Sequence, residues 1–163
     1  MNERQERLSE LWDKVRDVRV AMLTTRNAAG ELESRPMYTQ EVDFSNGIWF
    51  FTSRDSNKAT NIGQHDQVNL AYAAPDNSLY VSVSGTARLV VDREKARELW
   101  NPMNEAFFEG GVDDPELVLL EVDPSSAEMW DSPASKVRQL FSMVRSAVTG
   151  KHEDLGENKT YDL

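Results

Sequence analysis

Cysteine is absent from the 163 residues, so neither a disulfide framework nor a thiolate metal site can form. Histidine is scarce, and His65 and His152 stand far apart in the sequence, which argues against a histidine-based zinc site. No apolar run approaches the ~20 residues that a membrane-spanning helix requires; "LVLLEV" is among the longest. The opening "MNERQERLSELWDK" lacks the apolar core of a signal peptide. These absences predict a soluble cytoplasmic protein with no membrane partner. Positive charge is also in deficit, with 18 Lys and Arg against 28 Asp and Glu and a net charge of −10. That balance argues against a nucleic-acid partner, which usually meets a basic face. An anionic ligand would have to be drawn by local cations and free backbone N–H groups.

What is present predicts one domain over residues 1–150, followed by a polar tail over 151–163 that is poorly ordered on its own. Leu8, Leu11, Trp12, Val15 and Val18 follow the helical period, with Asn2 or Ser9 as the cap. Val18–Thr25 and Glu33–Glu41 then read as two strands, and Asn46-Gly47 as a hairpin turn into a third over Ile48–Thr52. A short helix is expected from Ser56 to Gly63, a fourth strand over Gln67–Pro75, and a long fifth over Leu79–Val91. Gly85 marks a bulge in that fifth strand. Asp92 caps "DREKARELW", Asn101-Pro102 halts it, and Leu117–Val122 is a sixth strand. A last helix starts near Ser135 and stops at Gly150. The pattern is mainly β (α+β): a six-stranded antiparallel split β-barrel with Greek-key connections and flanking helices.

The chemistry-bearing stretch is "WFFTSRDSNKATNI", Trp49 to Ile62. A strand hands over to a helix there, and helix N-termini present unpaired N–H groups and partial positive charge, a ready anion site. Ser53, Ser56 and Asn57 add side-chain donors and Lys58 a point charge suited to phosphate. Phe51 and Thr52 stand at the strand end beside whatever the phosphate carries. In "ESRPMYTQE", Arg35 and Pro36 interrupt a strand-like run. Proline belongs at a sheet edge, and an arginine there can meet a phosphate. Trp130 in "AEMWDSPASKV" precedes the last helix, with Lys136 near that helix's start. An aromatic wall beside a cation suits a planar anionic cofactor. The same residue types also serve as ordinary caps, surface cations and core aromatics, so spacing alone leaves both readings open.

The motifs "SRPMYTQ", "IWFFTSRDSNKATNI", "LYVSVSGTARLVVD" and "VDPSSAEMWDSPASKV", in this order from about Val18 to Gly150, resemble the FMN-binding split-barrel proteins related to pyridoxamine 5′-phosphate oxidase. The general stress protein 26 group is the most similar. The resemblance implies FMN as cofactor, held by Arg35, Pro36 and Met37 on the second strand and by Phe51 and Thr52 beside the ribityl chain and ring. It puts Ser56, Asn57 and Lys58 at the phosphate. Asn57 stands where the family has arginine, a charge that Arg54 is placed to supply. Tyr80, with Ser82 nearby, matches a contact from the partner subunit, and Trp130 matches a late family tryptophan. A homodimer with cofactor sites between subunits is implied. Lys136, Arg138 and Leu140 occupy positions where the oxidase has arginine, histidine and arginine, which argues against vitamin B6 oxidation. Two functions follow: an FMN-dependent oxidoreductase acting on an unspecified small molecule, or a flavin-binding stress protein that sequesters or senses the cofactor. A deazaflavin fits the same barrel. Haem fits poorly, since neither histidine is placed for axial ligation.

Overall fold

Asn2 and Gln5 close a reciprocal capping box, the Asn2 side chain accepting from the Gln5 N–H, and so start α1 (Glu3–Val15). Ser9 is instead inside that helix, bonded to Asp43. The apolar face of α1 puts Leu8, Leu11 and Val15 at 1% exposure or less, packed into a core with Phe44, Phe50, Leu70, Val83 and Leu120. Trp12 meets Phe44 with ring centroids 5.3 Å apart. The computed structural model describes residues 1–131 and 157–163, so the predicted last helix and Lys136 lie outside the described residues.

The core belongs to a curled antiparallel sheet. Its strands are β1 (Val20–Arg26), β2 (Leu32–Tyr38), β3 (Ile48–Ser53), β4 (Gln67–Ala74), β5 (Leu79–Val90), β6 (Leu117–Asp131) and β7 (Glu157–Asp162). They run in the order β2-β1-β4-β5-β6-β3, with β7 also on β6. The helices are α1, α2 (Asn57–Gln64), α3 (Arg93–Leu99) and α4 (Pro102–Glu105). Alternation explains most strands: Ala21, Leu23 and Thr25 point inward while Val20, Met22 and Arg26 point out. β3 is buried on both faces. Phe50 joins the main core, whereas Trp49 and Phe51 pack against Ala96 and Leu99 of α3 in a second cluster.

Two expectations are corrected. Asn46-Gly47 does not make a hairpin. Phe44–Asn46 is a 3-10 turn, and β3 pairs with β6 rather than β2. The cause is Phe44, which is 1% exposed and must cross beneath α1 to reach the core. The Gln40 N–H to Trp49 O bond, 2.9 Å, links the chain just past β2 back to β3. The end of the predicted polar tail is also structured. Glu157–Asp162 adds a strand to β6, Tyr161 facing Ala127 at 3% exposure. Tyr161 is its one deeply buried side chain among Asn158 to Asp162, which leaves little hydrophobic pattern for a sequence reading to detect.

Candidate functional site

The end of β3 hands directly to α2. Ser56 caps the helix, its hydroxyl accepting from the Ala59 N–H at 3.3 Å and lying 3.3 Å from the Thr52 hydroxyl. The Ser53 hydroxyl donates to Asp55 in the intervening turn. Lys58, in the first turn of α2, lines a cleft of about 270 Å³. Phe51, Thr52 and Ser53 from β3 and Pro36 and Met37 from β2 line it as well. These six are all residues expected from the sequence.

Arg35 does not line the cleft, yet it belongs to the same neighbourhood. Its guanidinium donates to the Thr25 hydroxyl at 2.6 Å and the Leu23 carbonyl at 3.2 Å, with Glu33 3.6 Å away. Burial works against its charge and the Glu33 carboxylate supports it. The Lys58 ammonium is pushed below its ordinary value, first by burial and then by the positive charge of Arg35. Two cations are thus held close together at some electrostatic cost, at the head of a helix, where the first N–H groups have no acceptor within the helix backbone. Such an arrangement is relieved by an anion.

The other expected residues divide. Ser56 acts from beneath as the helix cap, and Asn57 is exposed at the first position of α2. Arg54 is exposed and fixed through its backbone N–H to Glu116 O at 2.8 Å. Tyr80 and Trp130 face each other across β5 and β6, exposed by 45% and 41%. Ser82 accepts from the Asn69 amide at 2.9 Å on the same outer face. None of these three lines the cleft within one chain.

The sequence reading missed six described residues at the cleft: Val20, Tyr38, Gln40, Asn104, Phe107 and Phe108. Gln40 and Asn104 are each 1% exposed and pair through two amide bonds, 3.2 and 3.0 Å. Phe108 meets Phe51 at 6.3 Å between ring centroids. These contacts join chain segments about sixty residues apart, and nothing in local periodicity announces them. The one available signal was the pair of adjacent phenylalanines in an otherwise polar connector, "NEAFFEGG".

Comparison with known proteins places this geometry in a family. Residues 6–154 match the family described as pyridoxamine 5′-phosphate oxidase like. Over 157 residues the chain is 27% identical to Protein bli-3 of Neurospora crassa, covering 90% of this chain and 75% of that protein. Over 94 residues it is 30% identical to general stress protein 26 of Bacillus subtilis, covering 55% of this chain and 66% of that one. The crystal structure of the general stress FMN/FAD binding protein from Xanthomonas citri superposes with a TM-score of 0.69 at 33% identity, covering 80% of this chain and 92% of that chain. A Clostridium acetobutylicum protein related to general stress protein 26 superposes with a TM-score of 0.70 over 98% of this chain and 96% of its own; at 16% identity it speaks to the fold alone. The curled antiparallel sheet is the split-barrel fold of these neighbours, and the chain belongs to the pyridoxamine 5′-phosphate oxidase like family.

Proposed function

We propose that the protein binds FMN in this cleft and works as a flavin-dependent oxidoreductase on a small organic or nicotinamide substrate. The observation that carries the reading is the joint position of Lys58, Arg35 and the capped head of α2 beside a cleft walled mostly by apolar side chains. A flavin mononucleotide has the matching halves, a dianionic ester and a planar ring. Lys58 would meet the phosphate directly and Arg35 would reinforce the local positive field. Ser56, by fixing the helix head, would orient the free N–H groups toward the ester. Phe51 and Met37 would exclude water along the buried side. When bound, the isoalloxazine supplies the hydride or electron transfer; the chain's part is to hold, orient and desolvate.

A volume of about 270 Å³ falls just below the ~300–1,000 Å³ usual for ligand pockets. The described residues of one chain therefore enclose only part of such a ligand, which leaves room for a site completed by a second copy. The exposed Tyr80 and Trp130 of the outer sheet face, with the half-buried Ser82 beside Tyr80, are the residues proposed to arrive from that copy.

A second reading, a flavin carrier or sensor without rapid turnover, is favoured by Lys136 and Arg138 standing where the oxidase has its substrate-binding arginine and histidine. Titration of the purified protein with FMN and riboflavin, followed by anaerobic mixing with NADH or NADPH, separates the possibilities. FMN should bind and its oxidised bands should bleach; binding without bleaching selects the carrier. Lys58→Ala combined with Arg35→Ala should weaken FMN by about 10- to 100-fold, as expected for one charge-assisted contact (~1.5–3 kcal/mol) reinforced by a neighbouring charge, and leave riboflavin nearly unchanged. Equal losses for both ligands would show that these cations do not meet the phosphate.

A further inference from the structure

We infer that Phe107 is the side chain laid against the planar ring of the bound ligand, and that the buried Gln40–Asn104 amide pair is the device that positions it. Ring identity rests on the flavin reading above; the placement of Phe107 does not.

Phe107 is 64% exposed and lines the same cleft as Lys58. An isolated exposed phenylalanine is unremarkable on a protein surface. This one is fixed in place at the mouth of a concave site, which is where an exposed apolar face carries meaning. Its backbone N–H donates to Asn104 O at 3.1 Å, and the N–H of Phe108 donates to the same carbonyl at 2.9 Å. Those two bonds tie consecutive residues into one tight turn. Phe108 is drawn inward against Phe51, and Phe107 is left facing outward over the cleft.

The turn is itself anchored through the side chain of Asn104. Its amide nitrogen donates to Gln40 Oε1 at 3.0 Å, and Gln40 Nε2 donates back to Asn104 Oδ1 at 3.2 Å. Gln40 Nε2 also lies 3.3 Å from the Tyr38 carbonyl, and the Gln40 backbone is bonded to β3 through Trp49. Two amides at 1% exposure impose a planar, directional geometry that apolar contacts alone would leave loose. The amide pair therefore ties the turn that carries Phe107 to the barrel's strand ends. A planar heteroaromatic ring with a phosphate at its far end engages both features of the cleft, the ring on Phe107 and the ester on Lys58.

The test is fluorescence titration of the full chain with FMN and with riboflavin. Phe107→Ala should weaken both by the same factor, roughly three- to tenfold for the loss of an aromatic pair. Phe107→Trp should retain affinity and quench flavin emission beyond the level of the parent protein, because indole is a better electron donor than a phenyl ring. Asn104→Ala should reproduce the shared loss, and adding Phe107→Ala on top should then cost little; additive losses would show that the amide pair is merely structural. Thermal melts identify any Asn104 variant that fails to fold, in which case the Phe107 pair of variants decides alone. Undiminished binding of both flavins by Phe107→Ala overturns the assignment while leaving the FMN reading intact, and so does a loss confined to FMN. A parent protein that binds neither flavin overturns both.

Discussion

Lys58 concentrates the conflict between stability and binding in a single side chain. Its ammonium is pushed below the ordinary lysine value of 10.5, by burial first and by Arg35 second. Between that lowered value and 10.5, the unfolded chain holds more protons than the folded one, so the stability of the ligand-free protein rises with pH across this window. Below the window Lys58 is charged in both states and its burden on the fold is present in full. Lys58→Met should therefore stabilise the empty protein at neutral pH by about 0.5 kcal/mol once solvent screening is allowed for. Urea unfolding should show that gain shrinking toward pH 10. FMN affinity should move the opposite way, falling as Lys58 loses its proton, with the slope abolished in the variant. A gain in stability that is independent of pH would show that lost packing, not charge, is being measured. A helix start near Ser56 and the cation Lys58 were legible in the sequence, because capping and first-turn charge are local rules. Gln40 and Asn104 were not, because their pairing depends on the tertiary approach of α4 to the β2–β3 link.

At the scale of elements, the fifth and sixth strands depend on one glycine. The register between β5 and β6 shifts at Ser84/Gly85, where Gly85 stands opposite Pro124. A Cβ on Gly85 would lie 2.2 Å from Asp123 O and 2.9 Å from Pro124 Cα, both backbone atoms that cannot swing aside. Gly85→Ala should cost about 2–4 kcal/mol, at the upper end of single-site effects, visible as a lower urea midpoint. Gly63 is the matched control: it lies within α2 and a Cβ there meets nothing within 4 Å. Gly63→Ala should stabilise by about 0.5–1 kcal/mol through helix propensity. If Gly85→Ala were as harmless as that, the close approach of the two strands would be wrong. The sequence disclosed the bulge through Gly85 but stopped the sixth strand at Val122. The pattern breaks at Asp123-Pro124, and a proline normally ends a strand. Here the bulge accommodates it, and β6 continues to Asp131, long enough to carry β3 on its first half and β7 on its second. The hairpin expected at Asn46-Gly47 failed for a related reason: a favourable local turn yields when burying Phe44 and pairing β3 with β6 gain more.

For the whole molecule, the outer face of the sheet is where the proposed second copy can be tested. An antiparallel sheet facing water usually shows polar side chains on that face. Here Met22 pairs across to Ala71, Ala71 to Ser82, Ala73 to Tyr80 and Tyr80 to Trp130, a band with few charges in a protein of net charge −10. Met22, Tyr80 and Trp130 are each more than 40% exposed in the single chain. Family motifs singled out Tyr80 and Trp130, but a linear pattern could not bring them together with Met22 and Ala71, which the register of β1, β4 and β5 does. Two copies with like net charge repel at long range, so an apolar face must supply the attraction, and added salt should tighten the dimer by screening that repulsion. Sedimentation should therefore find a dimer whose dissociation constant falls from low to moderate ionic strength. Ala71→Arg combined with Tyr80→Glu should give a folded monomer. That monomer should bind FMN at least tenfold more weakly, although neither residue lines the cleft of its own chain. A monomer that binds FMN with undiminished affinity would mean that each chain completes its site alone, and a parent protein that is monomeric at every salt concentration would remove the partner from the binding site altogether.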